Sequence, residues 1–113
     1  MAILQTIGPL AVSVDETEVG FRFCDAMEMA LEVPPFLVEG LQAFQAGHQD
    51  VLASRPVVFD LAGVPAISSR QLGVMLTVRQ VVAGQGRLAL RDVSESVKRL
   101  LKMTKMEQFF ELL

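Results

Sequence analysis

The sequence predicts an α/β fold, a mixed β-sheet with an N-terminal antiparallel hairpin and parallel strands packed by helices. Three observations predict it. Apolar residues recur at every second position before residue 24. Strand-like and helix-like patterns then alternate from residue 36 to residue 104. Finally, 113 residues of which 51% are hydrophobic suit one core and leave no room for two, so residues 1–113 read as a single domain.

The elements follow in order. Residues 10–14 (LAVSV) alternate, an acidic stretch from Asp15 to Glu18 interrupts, and Val19, Phe21 and Phe23 resume the period. Two strands joined by an acidic turn result, with Val12, Val14, Val19, Phe21 and Phe23 toward the core. Residues 25–34 show no clear period; Met27, Met29 and Leu31 fit either a short strand or a packed loop. Pro34-Pro35 suits the first turn of a helix, because proline's missing N–H is not needed there. Phe36, Leu37, Leu41 and Phe44 then repeat at helical spacing, which predicts a helix over 35–47. Gly47 ends it, or Val51 and Leu52 extend it in phase.

After Arg55-Pro56, the run Val57-Val58-Phe59-Asp60-Leu61 is continuously apolar but for its aspartate. Such a run suits a strand buried on both faces, over 57–61. Gly63 and Pro65 make the turn that follows. Leu72, Met75, Leu76 and Val82, with Val74, Val78 and Val81 beside them, predict a helix over 70–83, stopped by Gly84 and Gly86. Residues 87–91 (RLALR) read as a strand. Ser94 is a natural N-cap for a helix over 94–103 carrying Val97, Leu100 and Leu101.

Composition narrows function. The formal net charge is −3 and the isoelectric point about 5.0, so the basic footprint of a nucleic-acid binder is missing. No apolar run approaches the roughly 20 residues of a membrane span, and Met1 to Val14 has neither the cations nor the cleavage pattern of a signal peptide. One cysteine, Cys24, allows no internal disulfide and no cysteine-based zinc site, which fits a cytoplasmic setting. Cys24 reads as a small buried apolar residue, and the single histidine, His48, as a surface residue near a helix end. No phosphate loop, dinucleotide fingerprint or zinc-protease motif is present. The glycines of Ala83-Gly84-Gln85-Gly86 follow a helix, whereas a phosphate loop follows a strand. No nucleophile has a base beside it, so catalysis, cofactor and small-molecule substrate are not expected. The seven Phe and six Met read as core, with a ligand pocket the alternative. Lys98, Arg99, Lys102 and Lys105 read as a solvated helix face, with a docking role the alternative.

The junction at residues 67–73 carries the candidate site. Ser68 and Gln71 have the spacing of a capping box: the Ser68 hydroxyl accepts from the Gln71 amide, and the Gln71 side chain reaches back to the Ser68 amide. Ser69 is then left at the first helical position with its hydroxyl exposed. A phosphate there would lie at the positive end of the helix dipole, with Arg70 adjacent. By residue chemistry alone the cap fully explains Ser68 and is favoured over the switch.

The segment from about Val57 to Phe109 resembles the STAS domain of sulphate transporters and anti-sigma factor antagonists. Asp60-Leu61-Ala62-Gly63-Val64 is similar to the family's strand ending in Asp-Leu-Ser-Gly-Val. Leu72-Gly73-Val74-Met75 is similar to the opening of the helix that follows. Gly86-Arg87-Leu88-Ala89-Leu90 resembles the next strand. Val93-Ser94, Val97 to Leu101, Met103-Thr104 and Phe109-Phe110 resemble the last helix and tail. The resemblance implies a single STAS-like domain. It places Ser69 on the antagonists' phosphorylatable serine and Ser68 on the preceding aspartate, while Arg70 and Gln71 replace a serine or threonine and a glycine.

What the resemblance implies is partner switching. The candidate phospho-acceptor is Ser69, and the candidate partner-binding residues are Ser68, Ser69, Arg70 and Gln71. The partner would be an anti-sigma factor, itself possibly a serine kinase, and the outcome transcription regulation. The alternative is an adaptor or scaffold subunit without phosphorylation, in a stress-signalling or lipid-transport assembly. Retention of Ser69 favours the first; the changes at 68, 70 and 71 favour the second.

Overall fold

The computed structural model describes residues 3–7, 10–24, 35–83 and 88–113. In chain order these form β1 (Ile3–Ile7), β2 (Leu10–Val14), β3 (Val19–Phe23), α1 (Pro35–Gly47), α2 (Gln49–Ser54) and β4 (Val57–Asp60). Then come α3 (Ser69–Val81), β5 (Leu88–Arg91), α4 (Glu95–Met103), a 3₁₀ turn (Glu107–Phe109) and β6 (Phe110–Leu112). The six strands make one sheet in sequential order, antiparallel from β1 to β3 and parallel from β3 to β6. The α/β class, the mixed sheet and the helix packing therefore stand as expected.

One face of the sheet builds the core. Leu10, Val12, Val19, Phe21, Phe59, Leu88, Leu90 and Phe110 share a cluster with Leu37, Leu41 and Phe44 of α1. Leu72, Val74, Met75 and Val78 of α3 join it, as do Val97 and Leu101 of α4. All these strand residues lie on the same side of the pleat. Sequential parallel order explains this, since right-handed crossovers that always advance in one direction keep their helices on one face. Aromatic rings run through the middle of the cluster. Phe59 lies 6.5 Å from Phe21 and 4.9 Å from Phe23 between centroids, and Phe21 meets Phe44 edge-on at 5.9 Å.

Several expectations change. The N-terminal hairpin is a three-stranded antiparallel unit, because β1 pairs with β2; a register shift between Ile3 and Gln5 breaks the alternation that would have announced it. Val51 and Leu52 do not extend α1: the chain turns at His48 and begins the separate helix α2. His48 is half-buried, not a plain surface residue. Its ring stacks on Phe44 at 4.3 Å and its Nδ1 lies 2.9 Å from the Phe44 carbonyl. Cys24 is partly exposed just after β3, not a fully buried apolar residue. Val14 and Phe23 are partly buried at the strand ends. The helix stop at Gly84 and Gly86, and any strand through Met27, Met29 and Leu31, lie outside the described residues.

Helix boundaries move by one or two residues. The third helix is Ser69–Val81 instead of 70–83, because Ser68 caps it one residue earlier. The last is Glu95–Met103, with Ser94 as its cap. The central strand ends at Asp60, although the Leu61 amide still donates to the Arg91 carbonyl at 2.9 Å.

The acidic turn between β2 and β3 is organised by Asp15. Its Oδ1 accepts from the Thr17 amide (2.7 Å), the Thr17 hydroxyl (2.9 Å) and the Glu18 amide (2.8 Å). These donors favour the charged form, the Thr17 amide most, and hold the carboxyl below the ordinary 3.8. A carboxylate held below its unfolded value stabilises the fold above that value, and the contribution is lost as pH falls through the folded one. We therefore expect Asp15→Asn to lower stability at neutral pH and to remove part of the stability lost as pH falls below about 4. Denaturant titrations of both proteins across that window check this; parallel acid profiles would contradict it.

Candidate functional site

The site is built where β4 hands over to α3. Asp60 ends the strand, and its Oδ1 accepts from the Ala62 amide at 2.8 Å, which starts the turn. The Val64 amide returns to the Leu61 carbonyl (3.0 Å), and Gly63 takes φ +78°, a left-handed conformation that glycine adopts without strain. Val64 and Ile67 then pack against the core and anchor the loop, while Pro65 and Ala66 are exposed.

Ser68 begins α3 with the capping box that its spacing predicts. Its extended backbone (φ −84°, ψ 167°) aims Oγ at the Gln71 amide (3.1 Å), and Gln71 Oε1 accepts from the Ser68 amide (2.8 Å). Ser69 is the first helical residue and is exposed, and its hydroxyl makes no hydrogen bond among the described residues. Arg70 and Gln71 are half-buried, and the Arg70 Nε has no hydrogen-bond partner there. All four candidate residues thus share the first turn of α3, but their availability differs. Ser68 and Gln71 are occupied with each other, whereas the Ser69 hydroxyl and the Arg70 guanidinium remain able to meet something new.

The cap gives a direct expectation. Ser68→Ala should destabilise the fold by about 1 kcal/mol, since the Gln71 amide loses its acceptor. Ser69→Ala should cost well under that, as no bond is removed. Urea titrations of the two variants measure the difference, and equal losses would reverse the assignment.

Two supports of this loop were not foreseen in the sequence. The Ser94 hydroxyl donates to the Pro65 carbonyl at 2.8 Å while accepting from the Val97 amide at 3.2 Å, so the cap of α4 also ties down the loop before Ser69. Arg91, at the end of β5, reaches Asp60 Oδ2 (3.3 Å) and Glu18 Oε1 (2.9 Å). Its guanidinium is pushed above its ordinary value, first by the hydrogen bond to Glu18 and then by that to Asp60. The signal available was an aspartate and an arginine each closing an apolar run, and parallel register places them side by side, Asp60 against Arg91. The network joins the β2–β3 turn to the strand end that launches the site.

Among the described residues no three His, Cys, Asp or Glu side chains gather where they could hold a metal ion. No helix among them is long and apolar enough to cross a membrane.

A family model of the STAS domain matches residues 10–113, nearly the whole chain and well beyond the segment whose motifs show the likeness. No curated protein matches the chain. With a sequential sheet, helices on one face and a serine-headed helix after β4, this chain belongs to the STAS domain family.

Proposed function

We propose that the protein is a regulatory protein-binding module of the anti-sigma factor antagonist type. It acts by partner switching, with Ser69 as the phospho-acceptor and no reaction of its own. STAS domains occur in such antagonists and in related proteins. The observation that carries the reading is the unengaged, exposed Ser69 hydroxyl at the start of α3, one residue after a serine that already satisfies the cap. The helix therefore does not need Ser69, and its modification would leave the fold intact while changing the surface. The partner would be an anti-sigma factor with serine kinase activity, which docks on the turn holding Ser69 and Arg70, and the outcome is control of transcription.

Arg70 and Gln71 support a second reading, an adaptor subunit without phosphorylation. They put a cation and a bulkier amide where the antagonists carry small residues, and Gln71 is committed to the cap. The two readings separate in one experiment. The chain is incubated with the serine kinase that binds it and ATP, and phosphate is mapped by mass spectrometry. Phosphate on Ser69 supports the switch; phosphate elsewhere, or none, leaves the adaptor.

A further inference from the structure

A second surface lies at the edge of the sheet, along α4. Lys98, Arg99 and Lys102 line a groove of about 460 Å³ together with Glu95, Glu107 and Leu112. These three cations are exposed, in a chain whose net charge is −3. Among the described residues only Lys98 has an ion-pair partner, Glu95 at 3.4 Å, on the same helix. Leu112 of the lining belongs to β6, the last strand in the order. The Leu113 amide donates inward to the Leu90 carbonyl at 2.9 Å, so strand alternation turns the N–H and C=O of Leu112 outward. Leu112 is 43% exposed and Leu113 68%, apolar side chains at an open edge.

We propose that this groove receives an extended acidic segment of a partner protein, which pairs with β6 as an added strand and sets its carboxylates against Lys98, Arg99 and Lys102. Backbone bonds supply the pairing, and the helix cations select the charge. Lysine is also a common guard against edge pairing, but a guard sits on the strand itself, and here the cations stand on the flanking helix. A second copy of this chain fits poorly. Antiparallel pairing of β6 with β6 brings Glu111 close to its equivalent, and a symmetric join presents one cationic α4 to another. A strand with alternating carboxylates sets them on the α4 face, away from Glu111, where three cations outnumber Glu95 and Glu107. Glu95 of the groove directly follows the Ser94 that holds the loop before Ser69.

The test uses the full chain and a capped peptide alternating glutamate and valine, with backbone amide resonances followed by nuclear magnetic resonance. The expected result is binding with Kd below about 1 mM that weakens as salt rises. The largest shifts should fall on Leu112, Leu113, Lys98, Arg99 and Lys102. Lys98→Glu with Lys102→Glu should weaken binding at least about tenfold, and Ser69→Ala should leave it unchanged, which separates this surface from the Ser69 reading. A control peptide of equal charge with prolines in place of the central valines should bind much more weakly, because proline cannot donate to the edge. Equal binding of that control, shifts centred on Arg22 or Arg70, or no shift at all overturns the proposal. So does self-association through β6, or capture by phosphatidylserine vesicles in preference to the peptide.

Discussion

Phe59→Ala is expected to remove about 3–5 kcal/mol of stability, at least about a fifth of the roughly 5–15 kcal/mol that holds a domain of this size together. Phe59 is fully buried in β4, and its ring lies between Phe21 and Phe23 of the neighbouring strand. Phe21 in turn meets Phe44 of α1, so the lost ring would leave a void where sheet and helix layer join. Strands on either side fix the backbone there, which limits how far the site can collapse. Urea unfolding should show a midpoint lower by about 2 M with an unchanged slope, since the slope reports exposed area and not stability. Phe59→Leu should cost markedly less, and Ser96→Ala, exposed on α4, should stay within about 0.5 kcal/mol. A midpoint for Phe59→Ala close to that of the parent would mean that the ring column is not the keystone of the core.

The same aromatic column shows why much of the fold was legible beforehand. Phe21 sits in a period of two, and Phe59 in a short apolar run that its length, its valines and the flanking Arg55-Pro56 mark as a strand. The starts of α3 and α4 were legible because they carry side-chain caps: Ser68 and Ser94 both bond as their spacing from Gln71 and Val97 requires. What escaped is short or irregular. β1 has a shifted register, so Ile3, Gln5 and Ile7 do not read as one face. β6 has three residues of which only Phe110 is buried, too few to show any period. The Asp60–Arg91–Glu18 network escaped for another reason. It joins residues 31 and 73 positions apart, and only the parallel register of β4 and β5 and the neighbouring β2–β3 turn bring them together. Local chemistry was therefore readable at the candidate site, where everything decisive lies between residues 60 and 71. Its long-range supports were not.

Phosphorylation of Ser69 is expected to weaken partner binding by two or more orders of magnitude. The modification adds about −1.5 to −2 charges at neutral pH. The free protein accommodates that charge easily, for Ser69 is exposed at the positive end of α3 and no bond has to break. A docked partner does not, because the phosphate would lose its water at the interface, at a cost of several kcal/mol unless a cation meets it. Each 1.4 kcal/mol is about tenfold in affinity. Arg70 tempers the effect: it is the next residue, and its cation, whose Nε is buried without a hydrogen-bond partner among the described residues, offsets part of the phosphate's charge. Hence Arg70→Ala should deepen the loss caused by phosphorylation while changing the affinity of the unmodified protein less. Calorimetry on the unmodified and the stoichiometrically phosphorylated protein, each with and without Arg70, measures all four affinities. Ser69→Asp is a poorer substitute, since it carries a single charge and none of the extra acceptor oxygens. Indistinguishable affinities before and after phosphorylation would rule out an electrostatic switch at this turn, whatever kinase placed the phosphate there.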